Sequence, residues 1–313
     1  MTLLKEGLVV RSQSGFFTVH TETGLVTCRL PGRLKKEPLE GDVCAVGDRV
    51  TLTDLGDGTG MIESIAERTG MISRIRTGIK RNFRQILLAN PDQIVIVFAC
   101  AEPEPHPRML DRFLVIAEKQ QLRTLIVANK SDLVTRKEAE AIFGLYEDLG
   151  YTVLYTSAKE DQGVSDLRVH LVGKISALTG PSGVGKSSLL NIVQPELGLH
   201  VREVSEATTK GRHTTQVREL FPLDFGGYVA DTPGIRSLAL WDTEPEELDA
   251  YFVELKGLVQ DCQFSDCTHT HEPGCAVRKA VAEGQVATER YKSYLRMRFG
   301  EDADPFIEQL AKK

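Results

Sequence analysis

Short apolar runs separated by glycines occupy the first 68 residues. The β-rich runs lie at 7–10, 16–20, 25–30, 49–52 and 61–65, and the intervening glycines are Gly15, Gly24, Gly41, Gly47, Gly56 and Gly58. Five or six short strands over this length predict a small barrel of the OB type, a fold that commonly binds oligonucleotides. The alternative is a barrel that only packs against its neighbour.

The pattern changes after residue 93 to apolar strands that alternate with helical stretches. Strands are expected at 94–99, 124–128, 152–155 and 175–179, and helices at 109–120, 137–149 and 164–171. Continuous apolar strands separated by helices predict a mostly parallel sheet covered on both faces. Ligands of such sheets gather at the carboxyl ends of the strands, where polar motifs follow in this chain.

The clearest of these motifs is glycine-rich and joins the strand at 175–179 to a helix. It consists of Gly180, Pro181, Ser182, Gly183, Val184, Gly185, Lys186 and Ser187, and the helix-like stretch continues from Ser188. Strand, glycine-rich turn and helix start together are the context of a P-loop, in which backbone N–H groups surround phosphates. Lys186 would lie along the β- and γ-phosphates, and the Ser187 hydroxyl would coordinate Mg²⁺. An ordinary glycine-rich turn is the alternative.

Two further motifs follow strands and suit a guanine base. Asn129, Lys130, Ser131 and Asp132 come after the strand at 124–128. An Asp carboxylate accepts both N1–H and N2–H₂ of guanine, the Asn amide suits O6 and N7, and the Lys stem lies along the base. The stretch Thr156, Ser157, Ala158 and Lys159 would supply a backbone N–H to O6. A polar turn is the alternative for the first motif, and the second is weak by itself.

The remaining nucleotide contacts are expected in two later segments. Residues 198–216 are polar, and a hydroxyl from Thr214 or Thr215 would complete the Mg²⁺ shell; the sequence does not decide between them. After two predicted strands, Asp231 would reach Mg²⁺ through water and the Gly234 N–H would bond the γ-phosphate.

The order of these motifs is that of a circularly permuted GTPase, because the base-reading motifs precede the phosphate-reading ones. The site is spatial, so permuted strands can leave it intact. The segment after Asp231 runs into the tail, so nucleotide state could move that tail. The tail itself is expected to begin with a helix over 244–259.

Three cysteines and a histidine cluster in the tail. Cys262, Cys267, His269 and Cys275 have four, one and five residues between successive members. Three thiolates and an imidazole make a closed tetrahedral site suited to one structural Zn²⁺. His271 is the alternative fourth ligand, and unliganded thiols are the alternative to a metal.

Composition limits the partners. The net charge is −6 and the pI about 5.7, so a role with nucleic acid must depend on local patches. One such patch is the run from Arg68 to Arg84, with six basic and no acidic residues, which could neutralise phosphates or be a solvated linker. A second is the basic excess of the last helices, which could touch RNA or be a solvated helix face. Its basic residues, which outnumber Glu283 and Glu289, are Arg278, Lys279, Arg290, Lys292, Arg296 and Arg298. No signal peptide or membrane-spanning stretch is evident, so a cytoplasmic protein is expected.

Taken together, these residues resemble the RsgA family of circularly permuted GTPases, also called YjeQ or YloQ. The resemblance covers the barrel, the motif order and the Cys-x4-Cys-x-His-x5-Cys pattern of the tail. It implies an α/β GTPase domain at 69–235 between an OB-type barrel at 1–68 and a helical zinc-binding domain at 236–313, with 68–84 as a basic connection. It also implies a factor in late maturation of the small (30S) ribosomal subunit, whose barrel and zinc domain contact 16S rRNA and whose GTP hydrolysis the subunit stimulates. Nothing in the sequence suggests an obligate dimer, so a monomer is expected.

One departure needs a mechanism. Ile235 follows Gly234 where many GTPases carry a glutamine that orients the attacking water. We therefore expect slow hydrolysis by the isolated protein, and hypothesise that His213 positions water once the ribosome orders its loop. The alternative is that His213 is a solvated residue or contacts RNA. Ile235 also favours a competing function, a nucleotide-gated RNA-binding adaptor with vestigial hydrolysis, while a kinase or ATPase is disfavoured by the Asn129–Asp132 motif.

Overall fold

The computed structural model describes residues 4–35, 41–76, 83–197, 218–231, 243–303 and 307. Alternation of buried and exposed positions builds the first five strands, which close into the predicted barrel. β3 pairs with β5 in parallel, and β1 pairs with β4 to complete the circle. Inward side chains such as Val19, Leu52 and Ile62 form its core. The strands are β1 (Leu4–Gln13), β2 (Phe16–Thr21), β3 (Gly24–Arg29), β4 (Arg49–Asp54) and β5 (Thr59–Ile65), and a 3₁₀ turn spans Gly32–Lys35.

The basic run after the barrel is not simply a linker, because most of its described part belongs to a two-stranded hairpin. β6 (Met71–Arg76) pairs antiparallel with β7 (Phe83–Ala89). Arg68 is also not available to phosphates, since its Nε and Nη2 each lie 2.7 Å from a carboxylate oxygen of the fully buried Asp48. This ion pair connects the residue just before β4 with the segment that joins β5 to the hairpin.

The GTPase sheet has the predicted parallel strands and helices on both faces. Alternate residues of the central strand β8 pack on opposite sides: Ile94 and Ile96 contact the core under α1 and α2, and Val95 and Val97 the core under α3 and α4. The strand order is β10-β9-β8-β11-β13-β12, with only β12 antiparallel. The strands are β8 (Gln93–Ala99), β9 (Arg123–Asn129), β10 (Thr152–Tyr155), β11 (Ile175–Thr179), β12 (Arg218–Pro222) and β13 (Tyr228–Asp231). The helices are α1 (Pro107–Lys119), α2 (Arg136–Asp148), α3 (Val164–Leu171) and α4 (Lys186–Val193), with 3₁₀ turns at Ser131–Leu133 and Pro195–Leu197.

Strand β1 belongs to both the barrel and the GTPase sheet. Its first half pairs with β4, and its second half pairs with β12 through Arg11 and Ser12. A β-bulge at Val10 marks the change, because the extra residue bends the strand. Val9 therefore faces the barrel core, while Leu8 and Val10 pack in the core of the GTPase sheet.

The tail differs from the expected long helix over 244–259. The chain forms a 3₁₀ helix at Pro245–Tyr251, the short α5 (Val253–Lys256) and a 3₁₀ turn at Val259–Asp261. Phe252 has extended backbone angles and is fully buried. The break in the helix at this residue lets its side chain pack into the core, which a continuous helix would have directed elsewhere. The tail ends in α6 (Ala276–Ala282), α7 (Thr288–Phe299) and a 3₁₀ turn at Gly300–Ala303. Among the described residues, no helix is long and apolar enough to cross a membrane.

Candidate functional site

The glycine-rich motif forms a tight loop between β11 and α4. Gly180 has φ +137°, and an added Cβ would lie 2.0 Å from the Val97 carbonyl oxygen. Gly185 has φ +93°, and its Cβ would lie 2.4 Å from Asn129 Nδ2. Only glycine fits such close approaches, so the loop geometry follows directly from the sequence. The loop ends at the N-terminus of α4, where backbone N–H groups can donate hydrogen bonds to phosphate oxygens.

Lys186, the first residue of α4, is buried against its own loop. Its Nζ donates to the carbonyl oxygens of Gly180 (3.0 Å) and Pro181. The ammonium group therefore already lies over the loop that would hold the phosphates. Ser187 and Ser188 follow in the first turn of α4 and are half-buried, while Ser182 at the loop tip is exposed.

One side chain, Asn129 at the end of β9, joins the three predicted motifs. It is fully buried, its Nδ2 donates to the Val184 carbonyl oxygen (2.8 Å), and its Oδ1 accepts from Thr156 Oγ1 (3.1 Å) and Ala158 N (3.2 Å). The predicted phosphate loop and both base-reading loops thus lie at one edge of the sheet. The sequence predicted only a contact between Asn129 and guanine, and it did not predict these hydrogen bonds between the loops.

The base-reading residues are held in defined orientations. Ser157 Oγ donates to Asp132 Oδ1 (2.6 Å), which fixes the carboxylate expected to accept from guanine. Lys130 has φ +61°, and its Nζ donates to the Glu102 carbonyl oxygen in the loop after β8. Ser131 Oγ is buried and has no hydrogen-bond partner within the described ranges, and Lys159 is exposed.

The predicted switch residues are only partly placed. Asp231 is the last residue of β13 and pairs with Leu178 of β11, two residues before Gly180, where the phosphate loop begins. This register puts the backbone of Asp231 at the same end of the sheet as the phosphate loop. His213, Thr214, Thr215 and Gly234 lie outside the described residues, so their roles stay predictions.

The tail brings Cys262, Cys267, His269 and Cys275 together, with all four candidate ligand atoms within 4.8 Å of one another. His269 Nδ1 lies 3.6 Å from Cys262 Sγ and 3.5 Å from Cys275 Sγ, and the two sulfurs are 4.0 Å apart. A tetrahedral Zn²⁺ site requires about 3.6 Å between nitrogen and sulfur and about 3.8 Å between sulfurs. The donor set and its spacing therefore fit a metal. The exposed His271 contacts Thr270 Oγ1 instead, which favours His269 as the fourth ligand.

The local electrostatics act differently on each member of this cluster. Burial lowers the pKa of His269, but its hydrogen bonds to the Asp249 carboxylate and Cys275 outweigh burial and raise the pKa to about 9. Burial likewise opposes ionisation of Cys275, yet hydrogen bonds from His269 and the Arg278 N–H lower its thiol pKa to about 7. By contrast, burial raises the pKa of Cys267 to about 12. A cation at the centre of the cluster would offset the cost of ionising the buried Cys267.

A buried ionic cluster fastens the tail to the GTPase sheet. Arg290 of α7 is 1% exposed; its Nη1 lies 2.6 Å from Asp111 Oδ1 of α1, and its Nε 2.6 Å from Glu254 Oε1 of α5. Tyr146 of α2 also donates to Asp111 Oδ1 (2.9 Å). The suggestion that Arg290 contributes to an RNA-binding face is therefore wrong. The partners are far apart in sequence, so no local pattern could have identified them.

The sheet order, the phosphate loop and the two base loops define a P-loop GTPase whose motifs occur in circularly permuted order. Family models add the particular lineage: the RsgA GTPase model matches residues 65–241, and the RsgA N-terminal domain model matches residues 6–62. The chain belongs to the RsgA GTPase family.

Relatives and solved structures agree. A small ribosomal subunit biogenesis GTPase RsgA from Gemmatimonas aurantiaca is 46% identical, over 95% of this chain and 98% of its own. A protein of the same description from Thermotoga petrophila is 41% identical, over 95% of this chain and 97% of its own. The crystal structure of YjeQ from Thermotoga maritima has a TM-score of 0.79 at 39% identity, over 95% and 98% of the two chains. The crystal structure of YloQ, described as a circularly permuted GTPase, has a TM-score of 0.74 at 31% identity, over 98% of this chain and 96% of its own.

Proposed function

We propose that this protein acts late in maturation of the small (30S) ribosomal subunit and hydrolyses GTP to GDP and phosphate, with stimulation by that subunit. The observation that carries the nucleotide part is Asn129, which ties the phosphate loop to both base-reading loops. The ribosomal part is supported by full-length relatives that are described as small ribosomal subunit biogenesis GTPases. Hydrolysis would time release from the subunit.

The chain's own residues divide the reaction between them. Lys186 and the N–H groups of Gly180–Ser188 would hold the phosphates, and Asn129–Asp132 with Ser157–Lys159 would hold guanine. The residues that would hold Mg²⁺ are Ser187, Asp231 and either Thr214 or Thr215. The ion would supply positive charge that neutralises the β- and γ-phosphates. The Gly234 N–H would bond the γ-phosphate, and His213 would orient the attacking water, since Ile235 cannot.

The tail cluster is proposed to hold one structural zinc ion. Three sulfurs and one imidazole nitrogen favour Zn²⁺ over Mg²⁺ or Ca²⁺, which prefer oxygen ligands. We further propose a monomeric cytoplasmic protein whose barrel and zinc domain contact 16S rRNA. The proposed domains are 1–68, 69–235 and 236–313; the matched family segments at 6–62 and 65–241 lie close to these boundaries.

The test is GTP turnover by the purified protein alone, with 30S subunits, and with 50S subunits, with ATP as the competing substrate. Stimulation by 30S alone, restricted to GTP, is the expected result. A rate that does not respond to 30S would refute the ribosome-stimulated reaction and leave the adaptor with vestigial hydrolysis, which Ile235 favours. Equal turnover of ATP would refute the guanine-reading role of Asp132.

A further inference from the structure

An acidic side chain from a separate element of the tail contacts the candidate metal ligand His269. Asp249, in the 3₁₀ helix Pro245–Tyr251, places Oδ2 3.1 Å from His269 Nε2. The opposite ring nitrogen, Nδ1, faces the sulfurs of Cys262 and Cys275 at 3.6 and 3.5 Å. The two nitrogens of one imidazole therefore have different partners, a carboxylate on one side and the thiol cluster on the other.

We propose that Asp249 is the positioning residue of the tail metal site. By accepting a hydrogen bond from Nε2–H, it keeps the proton on that nitrogen, so that the Nδ1 lone pair is directed at the metal. A carboxylate behind a ligating imidazole also makes the imidazole a stronger donor. The proposal rests on the metal site proposed above, and it assigns Nδ1 as the atom that coordinates.

The backbone conformation of His269 also indicates that this residue is held in one fixed position. His269 is fully buried and has φ +62°, a conformation that costs energy for a residue with a side chain. The surrounding tail holds it there: Tyr291 Oη donates to the His269 carbonyl oxygen, and Tyr294 Oη to that of Thr268 at 3.2 Å. A histidine that served only to fill the core would not require this backbone and a directed carboxylate together.

The position of Asp249 also connects the metal site to the GTPase sheet. The same 3₁₀ helix contacts α1: Glu247 Oε2 lies 3.1 Å from Lys119 Nζ, and Leu248 shares a buried cluster with Val115. The carboxylate that orients the metal ligand is thus carried by the segment that docks the tail on α1.

The test compares full-length wild type with Asp249→Ala and Asp249→Asn. Glu246→Ala is the matched control, because Glu246 is an exposed acid in the same 3₁₀ helix. Zinc affinity is measured by competition with a chromophoric chelator. We expect a loss of about 10- to 100-fold for Asp249→Ala. Asp249→Asn, which keeps an acceptor oxygen but not the charge, should lose less, and Glu246→Ala should match wild type.

A second readout separates positioning from general stability. Co²⁺ substituted into each protein reports ligand geometry through its visible absorption bands, which should change in Asp249→Ala and be largely restored in Asp249→Asn. Asp249→Ala that folds and keeps wild-type zinc affinity and wild-type Co²⁺ bands would overturn the proposal. If Asp249→Ala does not fold, Asp249→Asn is read alone by zinc affinity: a loss of about threefold or more is expected, and an affinity equal to that of wild type would overturn the proposal. Wild type that binds no zinc would refute the metal site itself, which is a different failure.

Discussion

Replacing Arg290 by methionine tests how the tail is fastened to the GTPase sheet. Methionine keeps much of the side-chain length and apolar contact, including contact with Phe252, over whose ring the guanidinium lies at 4.6 Å. It removes the charge that both carboxylates share. Asp111 and Glu254 have side-chain exposures of only 2% and 6%, so water cannot replace the lost partner.

The size of the stability loss depends on the hydrogen bonds that Asp111 and Glu254 keep after Arg290 is replaced. Asp111 retains one donor, Tyr146 Oη at 2.9 Å, but Glu254 loses both of its short contacts with Arg290, at 2.6 and 3.0 Å. Breaking a buried ion pair by removing one partner costs about 3–5 kcal/mol, because an uncompensated charge stays buried. We therefore expect a loss of about 3–5 kcal/mol in the free energy of unfolding of the tail.

The assay is urea unfolding followed by far-ultraviolet circular dichroism and by zinc release. Lys279→Met is the control, because Lys279 and Glu283 form an exposed pair 3.9 Å apart in the same part of the chain. An exposed pair contributes about 0–1 kcal/mol, so this variant should unfold nearly as wild type. A loss below about 1 kcal/mol in Arg290→Met would refute the reasoning that the cluster is a buried, tightly paired interface.

Three further changes test individual contacts. Gly185→Ala should abolish measurable GTP binding, since its Cβ would lie 2.4 Å from Asn129 Nδ2 at φ +93°; nucleotide affinity near wild type by fluorescence titration would contradict the loop geometry. Asp132→Asn should shift preference from GTP towards xanthosine triphosphate, because an amide can donate to the xanthine oxygen at C2; competition binding measures the ratio, and unchanged GTP preference would remove Asp132 from base recognition. Burial opposes ionisation of Glu272, but hydrogen bonds from Thr268 and Thr270 outweigh it and hold the pKa at about 2. Its stabilising contribution is therefore complete above the ordinary pKa of 4.5 and is lost as pH falls from there towards 2. Glu272→Gln should lower stability at pH 7 by about 1–2 kcal/mol after allowance for partial exposure, and the difference from wild type should shrink at pH 3; a difference independent of pH would contradict this.

The sequence predicted those parts of the fold that local patterns determine. The barrel strands, the alternating strands and helices around β8 and the glycine-rich loop each carry their signal within a few residues. The β6–β7 hairpin was missed because its apolar alternation is interrupted by basic side chains. The single helix expected over 244–259 was wrong because burial of Phe252 overrides the helical pattern.

Long-range pairing explains what was missed at the site. Arg68 and Arg290 resemble solvated basic residues in sequence, yet each is paired with a buried carboxylate, and Asp111 lies 179 residues from Arg290. The role of Asn129 as a link between loops likewise depends on contacts across 55 and 29 residues. Residue type and spacing predict the chemistry of a motif, but only the folded chain shows which partner each polar atom meets.

The central claim is that bound GTP holds this protein on the small subunit and that hydrolysis releases it. The most direct measurement is co-sedimentation of the purified protein with 30S subunits in the presence of a non-hydrolysable GTP analogue, GTP or GDP. We predict retention with the analogue, progressive loss with GTP as it is consumed, and little retention with GDP. Equal retention with the analogue and with GDP would contradict the account.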